Sequence, residues 1–316
     1  IDSSIEASKD AYIGGCCGTS NTYAGMKYNI PVLGTMAHSL VTESDNEYEA
    51  FKKYAMSNPD NCVFLVDTYD TLKSGIPNAI KLADEYLKPN GIKFKGIRID
   101  SGDLAYLSKE ARKMLDEAGY KDTNICLSNG LNEYTIRDLK NQGACIDSLG
   151  VGDNISAAKE RLGGVYKLVA IEKNGQIIPK IKISENTEKI TNPGYKRVYR
   201  LFENETGKAI ADLIAFYDEE IDCTKDLTIY HQSDIWKFKT IEANAYTVEE
   251  LQVPIFEDGK FVYQELSVKE IRDYSMQEKA RLWDEIFRLE FPHNYYVDLT
   301  KNLLDFKIKM LEEKRK

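Results

Sequence analysis

The amino-acid sequence predicts an α/β fold, an irregular βα barrel that spans residues 1–175. Short β-branched runs alternate with amphipathic helical stretches, and polar turn-forming residues follow the apolar runs. This alternation is typical of parallel strands joined by helices. The predicted strands are residues 12–14, 32–35, 63–67, 96–100, 125–127, 146–151 and 166–171.

Four helices are predicted between these strands, at residues 47–56, 78–87, 104–118 and 132–142. The third has the clearest pattern, since its apolar residues recur with a spacing near 3.6 and Gly119 follows as a C-terminal stop. Its apolar positions are Leu104, Leu107, Ala111, Met114 and Leu115.

The pattern changes after residue 175. Residues 176–265 alternate apolar and polar positions between turn signals, which predicts an antiparallel β-rich region that completes a second domain. Residues 266–316 predict C-terminal helices separated at Pro292. The sequence therefore predicts three parts: an α/β barrel catalytic domain, a β-rich region and C-terminal helices.

The composition excludes several classes of protein. The chain has 316 residues and a formal net charge of −9, with a sequence pI near 5.1, which argues against general binding to nucleic acid or anionic membranes. No apolar run approaches the roughly 20 residues that cross a bilayer. The six cysteines show no C-x-x-C pair, so reduced thiols are expected. We therefore expect a soluble cytoplasmic protein.

Acidic residues follow successive predicted strands. Asp67, Asp100, Asp103 and Asp153 each stand at or just after a strand end. Since the carboxyl ends of parallel strands meet at one edge, these carboxylates are expected to share a rim. Carboxylates suit sugar hydroxyls and Mg²⁺, which usually reaches a protein through its own waters or through substrate phosphates.

One of only three histidines lies in a comparable position. His38 follows an apolar run and a Gly34-Thr35 turn, which is how a reactive group is presented at the mouth of an α/β barrel. The alternative is a core histidine whose ring nitrogens are satisfied by neighbours. The sequence alone leaves both interpretations open.

Glycine-rich segments at other strand ends could hold a phosphate through backbone N–H groups. They are Ser128-Asn129-Gly130, which opens a helix, Gly150-Val151-Gly152, which closes a strand, and Gly163-Gly164. None is a Walker or Rossmann fingerprint, so each could equally be a tight turn.

Arg98 and Asp100 stand two residues apart on one predicted strand, so their side chains leave on the same face. An arginine can take a planar carboxylate through its fork of donors, and an aspartate can accept hydrogen bonds from a ribose diol. The alternative is an internal ion pair between the two side chains.

Several segments carry a family pattern in order along the chain. They are Gly14-Gly15 with Gly18-Thr19-Ser20-Asn21 and Ala24-Gly25; Gly34-Thr35-Met36-Ala37-His38-Ser39; Asp67-Thr68-Tyr69; Arg98-Ile99-Asp100-Ser101-Gly102-Asp103-Leu104; Gly150-Val151-Gly152; Gly163-Gly164-Val165-Tyr166-Lys167-Leu168-Val169; and Thr191-Asn192-Pro193-Gly194-Tyr195-Lys196. Together they resemble the nicotinate phosphoribosyltransferases, which are type II phosphoribosyltransferases. The predicted fold is accordingly the irregular barrel of that kind.

The resemblance implies a reaction. The family joins nicotinate to phosphoribosyl pyrophosphate, giving nicotinate mononucleotide and pyrophosphate in NAD salvage, with ATP hydrolysis as a coupled drive. It implies Mg²⁺ as cofactor, ATP as co-substrate and a homodimer with shared active sites.

The resemblance also implies residue roles. His38 would be phosphorylated by ATP, and Asp100 and Asp67 would complete the catalytic set. The substrate-binding residues would be Arg98, which would hold the nicotinate carboxylate, with Asp103, Thr35 and Ser39; Asp103 would also face Mg²⁺ through waters. The phosphate-binding residues would be Ser128, Asn129, Gly130, Gly150, Gly152, Gly163 and Gly164.

Two departures from the family pattern stand out. The glycine loop ends in Asp153, where the family usually has threonine, and an acid there would repel a phosphate unless it points away or meets a cation. The family's N-terminal region, which carries an aromatic residue and arginines of the site, is expected to be missing. Three alternatives stay open: a nicotinamide phosphoribosyltransferase, a non-catalytic fragment that binds nucleotide or assembles with a partner, and a generic phosphosugar-binding barrel.

Overall fold

The computed structural model describes residues 2–156, 164–184, 189–234 and 236–315. It divides the chain into two compact units. The first comprises Ile1–Arg161 with Ser267–Arg272, and the second comprises Leu162–Leu266 with Asp273–Lys316. The predicted three-part division at residues 175 and 265 stays a prediction.

The first unit is built on a four-stranded parallel sheet in the order β1-β2-β3-β4. Its strands are β1 (Val63–Leu65), β2 (Gly96–Ile99), β3 (Asn124–Leu127) and β4 (Ser148–Leu149). Its helices are α1 (Asp2–Gly14), α2 (Thr22–Tyr28), α3 (His38–Glu43), α4 (Glu47–Ser57), α5 (Ile76–Leu82), α6 (Leu104–Glu117), α7 (Glu133–Asn141) and α8 (Asp153–Ser156). The predicted parallel sheet and its four strands are confirmed.

The sheet is open, and the described residues form no closed barrel. The predicted strand at 12–14 is wrong, because these residues end α1. Ile5 and Tyr12 lie seven residues apart, two helical turns, and both are buried, which is the pattern of a helix face. At 32–35 only Val32 pairs, in a single parallel bridge with Thr19.

The last predicted barrel strand, 166–171, is also corrected. Its final residues belong to β5 (Ala170–Lys173), which pairs antiparallel with β6 (Gln176–Pro179) in a separate two-stranded ribbon. Asn174 and Gly175 both have positive φ between these strands, which suits a tight two-residue hairpin turn. The Asn-Gly turn thus directs this segment into a hairpin instead of a parallel strand.

Apolar residues of the strands form the core of the first unit. Phe64, Ile97 and Ile125 occupy one register across β1, β2 and β3 and are fully buried. Helix α4 adds Phe51, whose ring stacks on Phe64 at 5.1 Å between centroids. Each such side chain stabilises the fold by about 1.5–3 kcal/mol.

The predicted helices at 47–56, 104–118 and 132–142 are confirmed within two residues as α4, α6 and α7. Polar caps fix where they begin: the side chains of Asn46, Asp103 and Asn132 each accept a hydrogen bond from a backbone N–H of the first turn. The helix predicted at 78–87 begins earlier, in a π-helical turn Thr71–Gly75 that runs into α5 and then into a second π-helical turn, Ala83–Leu87.

The second unit contains a six-stranded sheet in the order β10-β9-β14-β8-β7-β11. Its strands are β7 (Lys196–Glu203), β8 (Ala209–Phe216), β9 (Leu227–Tyr230), β10 (Phe238–Ile241), β11 (Tyr246–Glu250) and β14 (Tyr296–Leu299). A small ribbon pairs β12 (Phe256–Glu257) with β13 (Lys260–Phe261). Of the C-terminal helices, α10 (Lys301–Arg315) belongs to this unit, and α9 (Val268–Ala280) is divided between the two units after Arg272.

The predicted antiparallel β region is confirmed, but one strand lies outside it. β14 comes from the part expected to be helical, and it pairs parallel with β8. Its four residues are too few for the alternation that marks a strand in the sequence. Among the described residues, no helix has the length and apolar character to span a membrane.

Candidate active site

The carboxyl ends of β1, β2 and β3 bring together the side chains that the sequence places at strand ends. Asp67 follows β1, Asp100 follows β2 and Ser128 follows β3. His38, the first residue of α3, lies beside the first two of these. The predicted shared rim is therefore present for these residues.

Arg98 lies at the centre of a hydrogen-bond network. Its Nε donates to Ser128 Oγ at 2.8 Å, one terminal nitrogen donates to Thr35 Oγ1 at 3.2 Å, and the other donates to Asp100 Oδ1 at 2.9 Å. The internal ion pair that the sequence left open as an alternative is thus formed. A guanidinium has five N–H donors, so these three bonds leave one donor on each terminal nitrogen.

Asp100 is held as a carboxylate. Burial acts to raise its pKa, but hydrogen bonds from Ser128 and Arg98 and the positive charge of Arg98 outweigh burial, so the pKa lies below its ordinary value of 3.8. Ser128 Oγ both accepts from Arg98 and donates to Asp100. The Ser128 hydroxyl donates within this network, and the Ser128 backbone N–H donates to the Ile99 carbonyl oxygen at 3.1 Å, so both donors of Ser128 already have acceptors.

This pKa shift predicts a pH dependence of stability. Because the folded-state pKa of Asp100 lies below the unfolded value, its stabilisation is present above the unfolded pKa and is lost as the pH falls through the folded pKa. We expect acidification from about pH 6 to pH 3 to lower the Tm of Asp100→Asn less than that of the wild type. Thermal melts at several pH values measure this, and parallel Tm curves would contradict it.

Asp67 is the most buried acid of the site, with 1% of its side chain exposed. Its Oδ2 accepts from the Asp100 backbone N–H at 2.8 Å and from Ser101 Oγ at 2.6 Å. The described residues supply no hydrogen-bond donor to its Oδ1. A buried carboxylate oxygen without a hydrogen-bond donor destabilises the folded state.

His38 is not a core histidine, because 43% of its side chain is exposed. Its Nδ1 lies 3.0 Å from Thr68 Oγ1. Its Nε2 lies 3.9 Å from both Asp67 Oδ1 and Asp100 Oδ2, which is outside hydrogen-bond range. The ring thus presents Nε2 to two carboxylates while Nδ1 is covered by a hydroxyl.

The other predicted site residues of this unit are Asp103, Ser39 and Thr35. Asp103 is exposed and caps α6 by accepting from the Tyr106 N–H at 2.9 Å. Ser39 is exposed in the first turn of α3, and Thr35 meets Arg98 as described. Within the described ranges, no three or more His, Cys, Asp or Glu side chains are grouped to hold a metal ion.

Two predicted phosphate loops lie side by side. Asn129 and Gly130 have positive φ, and the Asn154 side chain donates to the carbonyl oxygens of Gly130 and Leu131 at 2.9 and 3.0 Å. A Cβ on Gly150 would lie 3.1 Å from Ser128 Cβ, so the loops after β3 and β4 are in close approach.

The remaining predicted positions are Gly152, Asp153, Gly163 and Gly164. Asp153 is exposed at the first position of the four-residue helix α8, and Gly152 precedes it. Gly163 lies outside the described residues, and Gly164 is an exposed residue of the second unit. Gly163 and Gly164 therefore stay a prediction as phosphate ligands.

Sequence reasoning missed two residues as members of the site, Thr68 and Ser101. Both hydroxyls touch predicted site residues, Thr68 with His38 and Ser101 with Asp67. Each directly follows a strand-end aspartate, and that position was the available signal. A hydroxyl next to a functional acid at a strand end shares the same rim.

Comparisons with known proteins find matches over most of the chain. Residues 3–205 match the model of the "Nicotinate phosphoribosyltransferase (NAPRTase) family", and residues 195–307 match "Nicotinate phosphoribosyltransferase C-terminal domain". A nicotinate phosphoribosyltransferase of Bacillus subtilis (strain 168) is 47% identical over 99% of this chain and 63% of its own length. One of Dictyostelium discoideum is 34% identical over 96% of this chain and 60% of its own length.

Solved structures share the fold. The crystal structure of human nicotinic acid phosphoribosyltransferase matches with a TM-score of 0.74 and 25% identity, over 96% of this chain and 66% of that one. A nicotinate-nucleotide pyrophosphorylase from Pyrococcus furiosus, 22% identical, matches with a TM-score of 0.64 over 88% of this chain and 62% of that one. The chain spans less than two thirds of the length of these relatives, and it belongs to the nicotinate phosphoribosyltransferase family.

Proposed function

We propose that this chain carries the catalytic part of a nicotinate phosphoribosyltransferase of NAD salvage. It would transfer phosphoribosyl from phosphoribosyl pyrophosphate to nicotinate, giving nicotinate mononucleotide and pyrophosphate, with ATP hydrolysis coupled through phosphorylated His38. The catalytic part would be residues 1–175, and the whole enzyme would be a homodimer with shared active sites. Family membership and the geometry around Arg98 support this proposal.

The observation that supports this proposal most directly is the hydrogen-bond network of Arg98. Thr35, Ser128 and Asp100 fix the guanidinium and leave one N–H on each terminal nitrogen. Two parallel N–H donors are what a carboxylate needs for a bidentate, charge-assisted pair. An aromatic acid such as nicotinate would dock there, with Asp100 placed to accept hydrogen bonds from ribose hydroxyls.

The acids would then serve the transfer step. As the bond from ribose C1 to the pyrophosphate oxygen breaks, the electron pair leaves with pyrophosphate and positive character develops on the sugar. Asp100 is ionised at neutral pH, and Asp67 lies close by, so both can stabilise that charge electrostatically. The ring nitrogen of nicotinate supplies the electron pair of the new bond to C1.

The residues also fit a magnesium ion that arrives with the substrate. Mg²⁺ prefers oxygen ligands, keeps several waters and is usually bound by one or two carboxylates plus substrate phosphates. When bound, it would neutralise the charge of the departing pyrophosphate. Asp103, which is exposed, is the carboxylate that this chain would offer to the ion.

The loops after β3 and β4 would hold the 5′-phosphate. Asn129-Gly130 and Val151-Gly152 carry backbone N–H groups at adjacent strand ends, and α7 begins just after the first loop. The Gly150 N–H donates to the Leu127 carbonyl oxygen at 2.9 Å. Backbone N–H groups and a helix N-terminus favour an anion. Asp153 is exposed at the start of α8, and its charge would face a cation or solvent.

The proposal is tested with the chain itself. It is mixed with nicotinate, phosphoribosyl pyrophosphate, Mg²⁺ and ATP, and nicotinate mononucleotide is followed by chromatography, with a parallel calorimetric titration of phosphoribosyl pyrophosphate. Product that requires nicotinate supports the proposal. Binding without product would favour the alternative of a non-catalytic fragment, and the absence of both would refute the proposal.

The substitution Arg98→Lys tests whether nicotinate or nicotinamide is the preferred substrate. Lysine keeps the charge but loses the fork, so we expect the KM for nicotinate to rise about 10- to 100-fold, the loss of about 1.5–3 kcal/mol of charge-assisted hydrogen bonding. Steady-state kinetics with each substrate measure this. Arg112→Lys is the matched control, because Arg112 bonds Asp116, Tyr120 and Thr123 away from the site. An equal effect of Arg98→Lys on both substrates would favour the nicotinamide alternative.

A further inference from the structure

The Ser128 hydroxyl lies between the guanidinium of Arg98 and the carboxylate of Asp100. The Nε–H of a guanidinium can only donate, so Ser128 Oγ is the acceptor of that bond, at 2.8 Å. An ionised carboxylate can only accept, so the one proton of the hydroxyl is donated to Asp100 Oδ1. The two partners therefore fix the direction of both hydrogen bonds of the Ser128 side chain.

The position of this hydroxyl is fixed as well. Ser128 is buried, with 4% of its surface exposed, and its backbone N–H continues the pairing of β3 with β2 by donating to the Ile99 carbonyl oxygen. The loop after β4 approaches closely, since a Cβ on Gly150 would lie 3.1 Å from Ser128 Cβ. Because the N–H and the O–H of Ser128 both have acceptors inside the protein, neither is left for a phosphate.

The two oxygens of the Asp100 carboxylate have different surroundings as a result. Oδ1 accepts from the Ser128 hydroxyl and from a terminal nitrogen of Arg98 at 2.9 Å. The described residues donate no hydrogen bond to Oδ2, whose neighbour is His38 Nε2 at 3.9 Å. The backbone of Asp100 is held too, since its N–H donates to Asp67 Oδ2 at 2.8 Å. Oδ2 is thus the oxygen that remains for a ligand.

The hydrogen bond from Ser128 also affects the charge of Asp100. Burial is the largest influence and acts to raise the pKa of Asp100. The hydrogen bond from Ser128 is the strongest influence in the opposite direction, ahead of the hydrogen bond and the charge of Arg98, and the pKa lies below its ordinary value of 3.8. Ser128 therefore helps to keep the carboxylate ionised.

We infer that Ser128 is a positioning residue for the transfer reaction: its hydroxyl, held by the Arg98 Nε–H, fixes the Asp100 carboxylate so that Oδ2 accepts from the ribose hydroxyls of the phosphoribosyl donor. The inference rests on the proposed function, which places the ribose at Asp100. Ser128 acts through Asp100, because its own proton is already donated. Without the hydroxyl, Oδ1 keeps a single donor, and the carboxylate is free to turn about its bond to Arg98.

The first test measures Asp100 itself and needs no substrate. The ¹³C signals of labelled aspartate carboxyls are followed along a pH titration, and the signal lost in Asp100→Asn is that of Asp100. We expect the pKa of Asp100 to be higher in Ser128→Ala than in the wild type, because the charged form loses a hydrogen bond. An unchanged pKa would overturn the inference.

Ser108→Ala is the matched control for both tests. Ser108 is also a buried serine of the first unit, and its hydroxyl also bridges two groups, accepting from the Cys145 N–H at 3.2 Å and donating to the Ala105 carbonyl oxygen at 3.1 Å. We expect this variant to keep the wild-type pKa of Asp100. An equal shift in both variants would assign the effect to a general disturbance of the fold and would overturn the inference.

The second test measures the contact with the sugar. Ribose 5-phosphate and 2-deoxyribose 5-phosphate, which differ by one hydroxyl, are titrated into each variant by calorimetry. We expect the wild type and Ser108→Ala to bind the ribose compound about tenfold more tightly, as one hydrogen bond to a charged acceptor provides. In Ser128→Ala the ratio of the two Kd values should fall toward one, and a ratio equal to that of the wild type would overturn the inference.

A double variant shows whether Ser128 acts through Asp100. Adding Ser128→Ala to Asp100→Ala should change the ratio of Kd values no further, and a further fall would assign the sugar contact to Ser128 itself and refute the positioning role. A wild type that binds both sugar phosphates equally would refute the ribose site of the proposed function, and with it the part of the inference that concerns the sugar. The carboxyl titration would then decide by itself whether Ser128 fixes Asp100.

Discussion

His38→Ala is expected to abolish ATP-dependent phosphoryl labelling of the chain and to lower formation of nicotinate mononucleotide at least about 100-fold in the presence of ATP. The imidazole is the only nucleophilic nitrogen that the described structure places beside the carboxylates of Asp67 and Asp100. Alanine removes that nucleophile and leaves Thr68 Oγ1 without its partner, while the strand ends that hold the acids are retained.

The measurement compares labelling from γ-phosphate-labelled ATP with product formation in the same preparations. His231→Ala is a matched control, since His231 is also partly exposed but bonds the backbone N–H groups of Ser233 and Asp234 in the second unit. Label that persists in His38→Ala would show that another residue accepts the phosphoryl group. Equal losses in both variants would point to a general defect in folding.

Gly75→Ala is expected to have the largest effect on stability. A Cβ at Gly75 would lie 1.8 Å from the carbonyl oxygen of Val66 and 2.6 Å from its carbonyl carbon, and both atoms belong to the backbone. The backbone angles of Gly75 are helical, so the conflict is purely one of space. Since a backbone cannot rotate away as a side chain can, we expect a loss of about 3 kcal/mol.

A fall in Tm of about 10 °C corresponds to that loss in a chain of this size. Calorimetry measures it, with Gly14→Ala as the control because no atom outside its own helix backbone lies within 4 Å of a Cβ there. Val66 immediately precedes Asp67 and Thr68, so the same substitution should also displace both and weaken phosphoryl labelling. An unchanged Tm would mean that the π-helical turn moves away from β1 without cost.

The strand ends were predictable because their signal is local. A buried apolar run followed by an acid or a turn residue is visible in the sequence, and Asp67, Asp100 and Ser128 do meet at one edge. The Arg98–Asp100 contact was likewise predictable, since side chains two residues apart on a strand lie on the same face of the sheet. These parts of the site follow from local sequence, through the residues that end a strand and the two-residue repeat of its side chains.

Other parts depend on contacts distant in the chain. The bond between His38 and Thr68 joins residues thirty positions apart, and Arg98 meets Thr35 across sixty-three. No local pattern encodes such a meeting, because it depends on how segments distant in the chain pack together. The helix at 12–14 was not predictable for a different reason: three residues are too few to distinguish a short strand from the end of a helix, and the helical signal lies in the two-turn spacing from Ile5 to Tyr12.

The position of β14 in the second sheet has a consequence for how the chain folds during its synthesis on the ribosome. The parallel sheet of the first unit is complete once residue 149 has been made. The second sheet is different, because β14 lies between β9 and β8 and joins them. Strands β7 to β11 therefore emerge with a gap at their centre, and the sheet closes only after residues 296–299 are synthesised. Until then, the edges of β8 and β9 stay open to incorrect pairing.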